Sequence, residues 1–220
     1  VYTALKHYLV PRILGEDPRN IIRIHGIMND TLVQNGAAKA AVDIACYDIL
    51  GKVSNLPIYM LLGGRKSETP SIPKVLSILE PDLLAKQAQE AVATGYKEIK
   101  MKLGGDVVTD CERVAAVREA VGTTIPIRVD VNQGWKTVQR AREAMQLLEP
   151  YHLSWVEQPI AQLDLAHFKK LRAMTSIPLM ADESFIHQEH LRTLIRDQSV
   201  EYINIKLMKT GGIYPSYTLA

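Results

Sequence analysis

The spacing of apolar residues changes about a third of the way along the chain. Before that point they recur at three and four with few turn signals, which predicts helices. The clearest run starts at Asn35-Gly36, passes through Ala37, Ala38, Ala41, Val42, Ala45 and Ile49, and reaches Gly51 as a C-terminal stop. Its many alanines allow helices to approach closely. Pro57, Gly63, Gly64 and Pro70 then break the periodicity, so a domain boundary is expected near Ser71, dividing the chain into residues 1–70 and 71–220.

Past that boundary, short β-rich runs at 97–103, 127–131, 153–157, 179–182 and 202–207 alternate with amphipathic stretches such as 111–121, 138–148, 166–174 and 190–196. Strand and helix in turn at this spacing predict an α/β fold around a parallel sheet. Lys102, Asp130, Glu157, Asp182 and Lys206 stand at or near the ends of these runs, at intervals of 28, 27, 25 and 24 residues. In a (β/α)8 TIM-type barrel all strand carboxyl ends meet at one face, so residues one unit apart converge on a common axis.

Composition narrows the classes without changing this picture. With 47% hydrophobic and 23% charged residues among 220, the chain is ordinary globular protein, which excludes disordered, collagen-like and coiled-coil classes. The 26 basic and 24 acidic residues are spread along the chain without a polybasic block, so no nucleic-acid partner is expected. No stretch approaches the roughly 18 apolar residues needed to span a bilayer. Lys6, His7, Arg12, Glu16, Asp17 and Arg19 argue against a signal peptide, and no membrane partner is expected. Cys46 and Cys111 lack metal-ligand spacing, which suits a reducing, cytoplasmic setting. The chain starts at Val1 rather than Met and stops within what reads as a helix start, so it is expected to be a piece of a longer protein.

Three carboxylates drawn together at neutral pH need a cation or a proton to coexist. Oxygen-only ligands favour a hard divalent ion, magnesium first and manganese second, with room left for water and a substrate oxygen. Any one of Asp130, Glu157 and Asp182 alone reads as an ordinary surface or structural acid, whereas three at strand ends one unit apart do not. Strand alternation puts Asn132 on the side of Asp130, where it supports a ligand, and Glu183 is a supporting residue beside Asp182. Lys100 and Lys102 face the same way. A Lys-x-Lys pair is usually an exposed strand face, but two ammonium groups crowded beside a metal lower each other's pKa toward that of a general base. Lys206, four strands beyond Lys102 in an eight-strand ring, is expected roughly across the barrel. Two lysines on opposite sides of a carbon are the design of a racemase. Removing a proton α to a carboxylate makes an enolate dianion, which a cation on its oxygens stabilises.

These residues resemble the enolase superfamily, within it the muconate-lactonizing-enzyme subgroup, over most of the chain. The matching pieces are Leu61-Leu62-Gly63-Gly64, Lys100-Met101-Lys102, Asp130-Val131-Asn132, Trp155-Val156-Glu157-Gln158-Pro159, Ala181-Asp182-Glu183-Ser184 and Asn204-Ile205-Lys206-Leu207-Met208-Lys209-Thr210-Gly211-Gly212. The resemblance implies that Asp130, Glu157 and Asp182 bind magnesium and that Lys102 and Lys206 are the acid/base pair. It implies too that Lys100 lowers the pKa of Lys102 or holds the substrate carboxylate. A lysine at position 206 points away from the mandelate-racemase subgroup, which typically uses a histidine from a later strand. An incomplete barrel is implied, preceded by the helical part of an α+β capping domain, in a homo-oligomer acting on a small-molecule carboxylate.

The segment Val75-Leu76-Ser77-Ile78 resembles the Thr-x-Ser-Ile strand of dipeptide epimerases, which makes Ser77 a substrate-binding candidate. Trp135 has two readings, a ring over the substrate and a loop anchor, and joins Ser77 in that role. His187 and His190, three apart, read as a solvated helix face rather than a metal pair. The leading function is a racemase or epimerase of amino acid derivatives or dipeptides. A muconate-type cycloisomerase, an o-succinylbenzoate synthase, a Schiff-base aldolase using Lys102 or Lys206, and a non-catalytic relative are the alternatives.

Overall fold

The computed structural model describes residues 1–65, 70–162, 165–186 and 188–220. It divides into two units, Val1–Thr69 with Ile205–Ala220, and Pro70–Asn204. The division falls between Thr69 and Pro70, and the last sixteen residues group with the N-terminal part rather than with the strands. The reason is local. Residues 207–214 are clasped by the long helix of the N-terminal part, as described below.

The first unit opens with a continuous helical run made of α1 (Tyr2–Ala4), a π-helical turn (Leu5–Leu9) and α2 (Val10–Ile13). Helix α3 (Ile21–Thr31) starts where the Asn20 side chain accepts the Arg23 N–H at 3.2 Å. Helix α4 (Gly36–Ser54) runs three residues beyond the expected glycine stop and ends at Asn55, whose left-handed φ of 54° closes it. The short α5 (Ile58–Leu61) follows. Leu9, Ile24, Met28, Ala38, Val42, Cys46 and Tyr47 form the core of this unit.

The second unit is built on six parallel strands in simple sequential order: β1 (Lys74–Leu76), β2 (Ile99–Lys102), β3 (Ile127–Asp130), β4 (Val156–Glu157), β5 (Leu179–Ala181) and β6 (Tyr202–Ile203). Helices α6 (Pro81–Ala93), α7 (Val107–Val121), α8 (Val138–Leu148), α9 (Leu165–Arg172) and α10 (Gln188–Arg196) connect them in turn. Parallel neighbours require such crossovers, and among the described residues six strands in order with five intervening helices give the repeating pattern of a (β/α) barrel. Asp106 and Thr137 cap α7 and α8 through the N–H groups of Thr109 and Arg140. Alternation along the strands sorts the side chains. Ile99, Met101, Ile127, Val129, Val156, Leu179 and Ala181 pack in the buried core with the helices, leaving Lys100, Lys102, Asp130 and Glu157 to the other face.

The last two helices, α11 (Leu207–Thr210) and α12 (Ile213–Leu219), belong to the first unit. Among the described residues, no helix is long and apolar enough to cross a membrane.

Candidate active site

Strand register assembles the centre of the site. Lys102 pairs with Asp130 across β2 and β3, and Asp130 pairs with Glu157 across β3 and β4. Three polar side chains therefore form one row on three adjacent strand ends. Asp130 and Glu157 are 1% and 2% exposed, so their charges are taken out of water and need partners. Lys100 supplies one, its Nζ lying 2.9 Å from Asp130 Oδ2 and 2.6 Å from Glu157 Oε2. Lys102 supplies another, donating to Asp130 Oδ2 and to Asn132 Oδ1, each at 2.7 Å.

The charges shift accordingly. Burial works against the Lys100 ammonium, but its hydrogen bonds to Glu157 and Asp130 outweigh that and raise its pKa above the ordinary lysine value. Without an ion, the carboxylates that Lys100 faces decide the direction of its shift. Burial and the neighbouring Asp130 charge push Glu157 upward against the pull of Lys100 and Asn204.

Asn132 reaches Lys102 by a route that strand alternation does not describe. Strand β3 ends at Asp130, and Asn132 sits in a turn with a left-handed φ of 45°. Its N–H donates to Asp130 Oδ1 at 3.1 Å, and its side-chain amide donates to Glu183 Oε1 at 3.1 Å. Glu183 thus supports Lys102 through Asn132, and among the described residues its other oxygen is buried without a hydrogen-bond partner.

Asp182 is fully buried one residue past β5, two residues beyond Met180, the register partner of Glu157. Its backbone is held by Gln158, which the sequence offers only as part of the Trp155–Pro159 motif. Gln158 is fully buried, and its Oε1 accepts the N–H groups of Asp182 and Ser184, both at 3.0 Å. Its Nε2 donates to the Ser184 hydroxyl at 2.7 Å and to the Ile160 carbonyl at 2.9 Å. A left-handed φ of 43° at Gln158 accompanies this arrangement, a turn that alternation from Glu157 does not foretell. Asn204 was likewise missed, and it donates to Glu157 Oε1 at 2.8 Å.

Among the described residues, no three His, Cys, Asp or Glu side chains are gathered as a ready-made metal group. The donor chemistry nevertheless fits a hard cation. Two buried carboxylates share the Lys100 ammonium between them, so a positive charge already stands between oxygens of both acids. The unpartnered Glu183 oxygen adds a further buried acceptor on the residue next to Asp182.

The remaining candidates are placed as follows. Ser77 is exposed one residue past β1, level with Lys102 by the register of Leu76 with Met101. Trp135 does not fit a ring over a substrate, because it is fully buried and its indole N–H donates to Asp110 Oδ2 at 3.0 Å. It anchors its loop. Asp110 also accepts from the N–H groups of Gly104 and Gly105, tying the loop after β2 to the loop after β3. Lys206 lies in the other unit, exposed, at the start of α11 and beyond the observed end of β6. His187 lies outside the described residues.

Comparison with known proteins matches residues 83–220 to the family described as enolase C-terminal domain-like, and residues 1–63 to the mandelate racemase / muconate lactonizing enzyme N-terminal domain. An N-succinyl-L-Arg/Lys racemase of Bacillus cereus is 43% identical over 219 residues, which are 100% of this chain and 59% of the relative. A hydrophobic dipeptide epimerase of Enterococcus faecalis is 42% identical over 92% of this chain and 56% of its own length. The crystal structure of the Bacillus cereus racemase matches with a TM-score of 0.97 at 43% identity, over 99% of this chain and 59% of that one. A dipeptide epimerase from Cytophaga hutchinsonii, complexed with magnesium and D-Ala-L-Val, matches with a TM-score of 0.91 at 34% identity, over 96% of this chain and 57% of that one. The chain thus spans less than two thirds of the length of these relatives. With both family regions matched in order along its length, the chain belongs to the enolase superfamily, in the muconate-lactonizing-enzyme subgroup.

Proposed function

We propose that the protein carrying this chain is a magnesium-dependent racemase or epimerase that removes the proton α to a carboxylate and returns one to the same carbon. Its substrates on this reading are acylated amino acids or dipeptides. The observation that carries the reading is the row on β2, β3 and β4, in which the Lys102 amine stands 2.7 Å from the first of two buried, adjacent carboxylates. The names of the relatives support the same reaction class, one a racemase of N-succinyl-Arg/Lys and another a dipeptide epimerase.

Asp130, Glu157 and Asp182 are the oxygen donors proposed to hold the ion, with manganese as the second choice for the same ligands. When bound, it supplies positive charge where negative charge develops on the substrate carboxylate. Lys102 is the group that takes the α-proton on this reading, and its contacts with Asp130 and Asn132 fix where the nitrogen stands. Lys206 is proposed as the second proton-transfer group, on the strength of its place in the repeat and of the family pattern. Lys100 is proposed to balance the acid pair and to hold the substrate carboxylate, with Ser77 as a further contact. A homo-oligomer in the cytoplasm completes the reading.

The test is α-hydrogen exchange in D2O by the full-length protein with magnesium and N-succinyl-L-arginine. Deuterium is expected to enter the α-carbon as the substrate racemises, and to enter about 10⁴-fold more slowly in a Lys102→Ala, Lys206→Ala double variant. Exchange at the parent rate in that variant would overturn the proposal.

A further inference from the structure

We propose that Asp43, on α4, is a positioning residue for Lys206, holding through the backbone the turn that carries this lysine. The proposal rests on the reading of Lys206 as a proton-transfer group. It starts from an acid that the site chemistry does not use, since Asp43 is fully buried in the first unit. A carboxylate out of water must spend its acceptor capacity on donors. Three of them converge on it. His25 Nε2 lies 2.6 Å from Oδ1, the Ile213 N–H donates to Oδ2 at 2.5 Å, and the Tyr214 N–H points at Oδ1 at 3.4 Å. The His25 ring also packs against Tyr214, with centroids 5.2 Å apart.

The carboxylate thereby grips the start of α12, and the grip extends back to Lys206 through a short covalent and hydrogen-bonded path. Gly212 has a φ of 131°, and a Cβ there would stand 2.3 Å from Asp43 Cγ. Only glycine lets the chain pass this close. The Gly211 and Gly212 N–H groups donate to the Leu207 carbonyl at 2.9 Å, and the Lys206 carbonyl accepts from Lys209 at 2.8 Å and Thr210 at 3.1 Å. The Thr210 and Ser216 hydroxyls share a 2.5 Å hydrogen bond that links α11 to α12. On the other side, a Cβ at Gly36 would stand 2.5 Å from the Lys209 carbonyl, so α4 also lies directly against α11. Hydrogen bonds within the turn and the close approach of α4 thus connect the Lys206 carbonyl to the segment that Asp43 holds. A charged acceptor bonding main-chain N–H groups is stronger than a neutral one, which explains an acid in a place where an apolar residue would serve for packing alone.

The experiment compares full-length Asp43→Asn, Thr210→Val, Lys102→Ala and Lys206→Ala proteins with the parent. Deuterium wash-in from D2O is followed separately for N-succinyl-L-arginine and N-succinyl-D-arginine, and the two lysine variants assign each enantiomer to its lysine. Asp43→Asn keeps shape but replaces one acceptor oxygen by a donor. It is expected to slow by about 100-fold the wash-in that depends on Lys206 and to leave the Lys102-dependent one unchanged, as a displaced group costs orientation at one face only. Thr210→Val shifts the same reaction in the same direction by less. Amide hydrogen exchange read by mass spectrometry is expected to rise in residues 207–214 of Asp43→Asn and to stay at the parent level in residues 127–132. Equal slowing for both enantiomers, or amide exchange raised throughout the chain, would reduce Asp43 to a structural role and overturn the proposal. Loss of one wash-in in Lys206→Ala with none affected in Asp43→Asn would overturn the proposal alone. Both wash-ins intact in Lys206→Ala would overturn the underlying reading of Lys206, and the proposal with it.

Discussion

At the ends of β2, β3 and β4, charge is held by charge: two lysines stand against two buried carboxylates, with Lys100 spanning both. Around α11 the main chain itself is held, by the Asp43 carboxylate, by two close glycine approaches and by the carbonyls of Lys206 and Leu207. The difference has a consequence. Oxygens satisfied by a lysine remain open to competition from any cation that offers better coordination, so the strand ends are expected to respond to ions. A clasp on backbone N–H groups offers nothing for an ion to replace, so the turn after Lys206 responds to substitution and not to metal. A proton-transfer site needs both kinds of support, an adaptable one where charge enters and a fixed one where a nitrogen must stand.

The largest effect that separates the two regions is expected from Lys100→Met. Removing the ammonium leaves Asp130 and Glu157 facing each other inside the protein, at a cost of about 3 kcal/mol in metal-free solution. Magnesium should restore much of that, so thermal denaturation should show a larger magnesium-induced rise in midpoint for Lys100→Met than for the parent. Equal rises would mean that the lysine and the ion do not share oxygens. The sign of the pH dependence follows from the raised Lys100 pKa. The lysine's contribution is fully present below the ordinary lysine value of about 10.4 and is lost only as the pH climbs through the higher folded value.

A smaller effect is expected from Gln158→Ala, which removes the acceptor shared by the Asp182 and Ser184 N–H groups. Supporting partners of metal ligands typically carry about 10-fold to 100-fold in affinity, so calorimetric magnesium binding should weaken within that range. Unchanged affinity would place Asp182 outside the ion's ligands.

The cysteines, one in each unit, serve as local reporters, and the smallest effect is expected at Cys46. Burial, followed by the charges of Asp110, Asp106 and Glu112, pushes the Cys111 thiol up to about 11. Burial and then Asp43 push Cys46 upward. At pH 8, Cys111 should alkylate about 100-fold more slowly than an unburied thiol, since two pKa units remove that share of thiolate. Because the folded pKa is raised, this protection is complete below the ordinary thiol pKa and fades as the pH approaches 11. Asp43→Asn should hasten iodoacetamide labelling of Cys46 several-fold and leave Cys111 alone. Labelling of both at the same increased rate would show that the two regions do not yield separately.

The barrel strands were legible because their signal is local. Alternation over Ile127, Arg128, Val129 and Asp130 assigns both a strand and its faces, and regular spacing aligns Asp130 with Glu157. The observed strands are shorter than the apolar runs, since residues such as Leu153 and Leu207 lie outside the paired ladder. Turns were less legible. Asn132 and Gln158 both take left-handed backbone conformations directly after the strand ends, and there a side chain's direction depends on φ rather than on parity. Asp43 was illegible for a different reason. Its partners Ile213 and Tyr214 lie 170 and 171 residues away, and their main-chain N–H groups carry no side-chain signature. Of the two readings of Trp135, the loop anchor is the one realised, because Asp110 on α7 accepts its indole N–H.

On the proposed reading, the acids at the ends of β3, β4 and β5 together hold one ion beside Lys102. The most direct measurement is a manganese titration of the full-length protein followed by electron paramagnetic resonance, with magnesium as competitor. One ion per chain is expected, displaced by magnesium and lost in each of Asp130→Asn, Glu157→Gln and Asp182→Asn. One ion retained at the parent affinity in all three variants would contradict it.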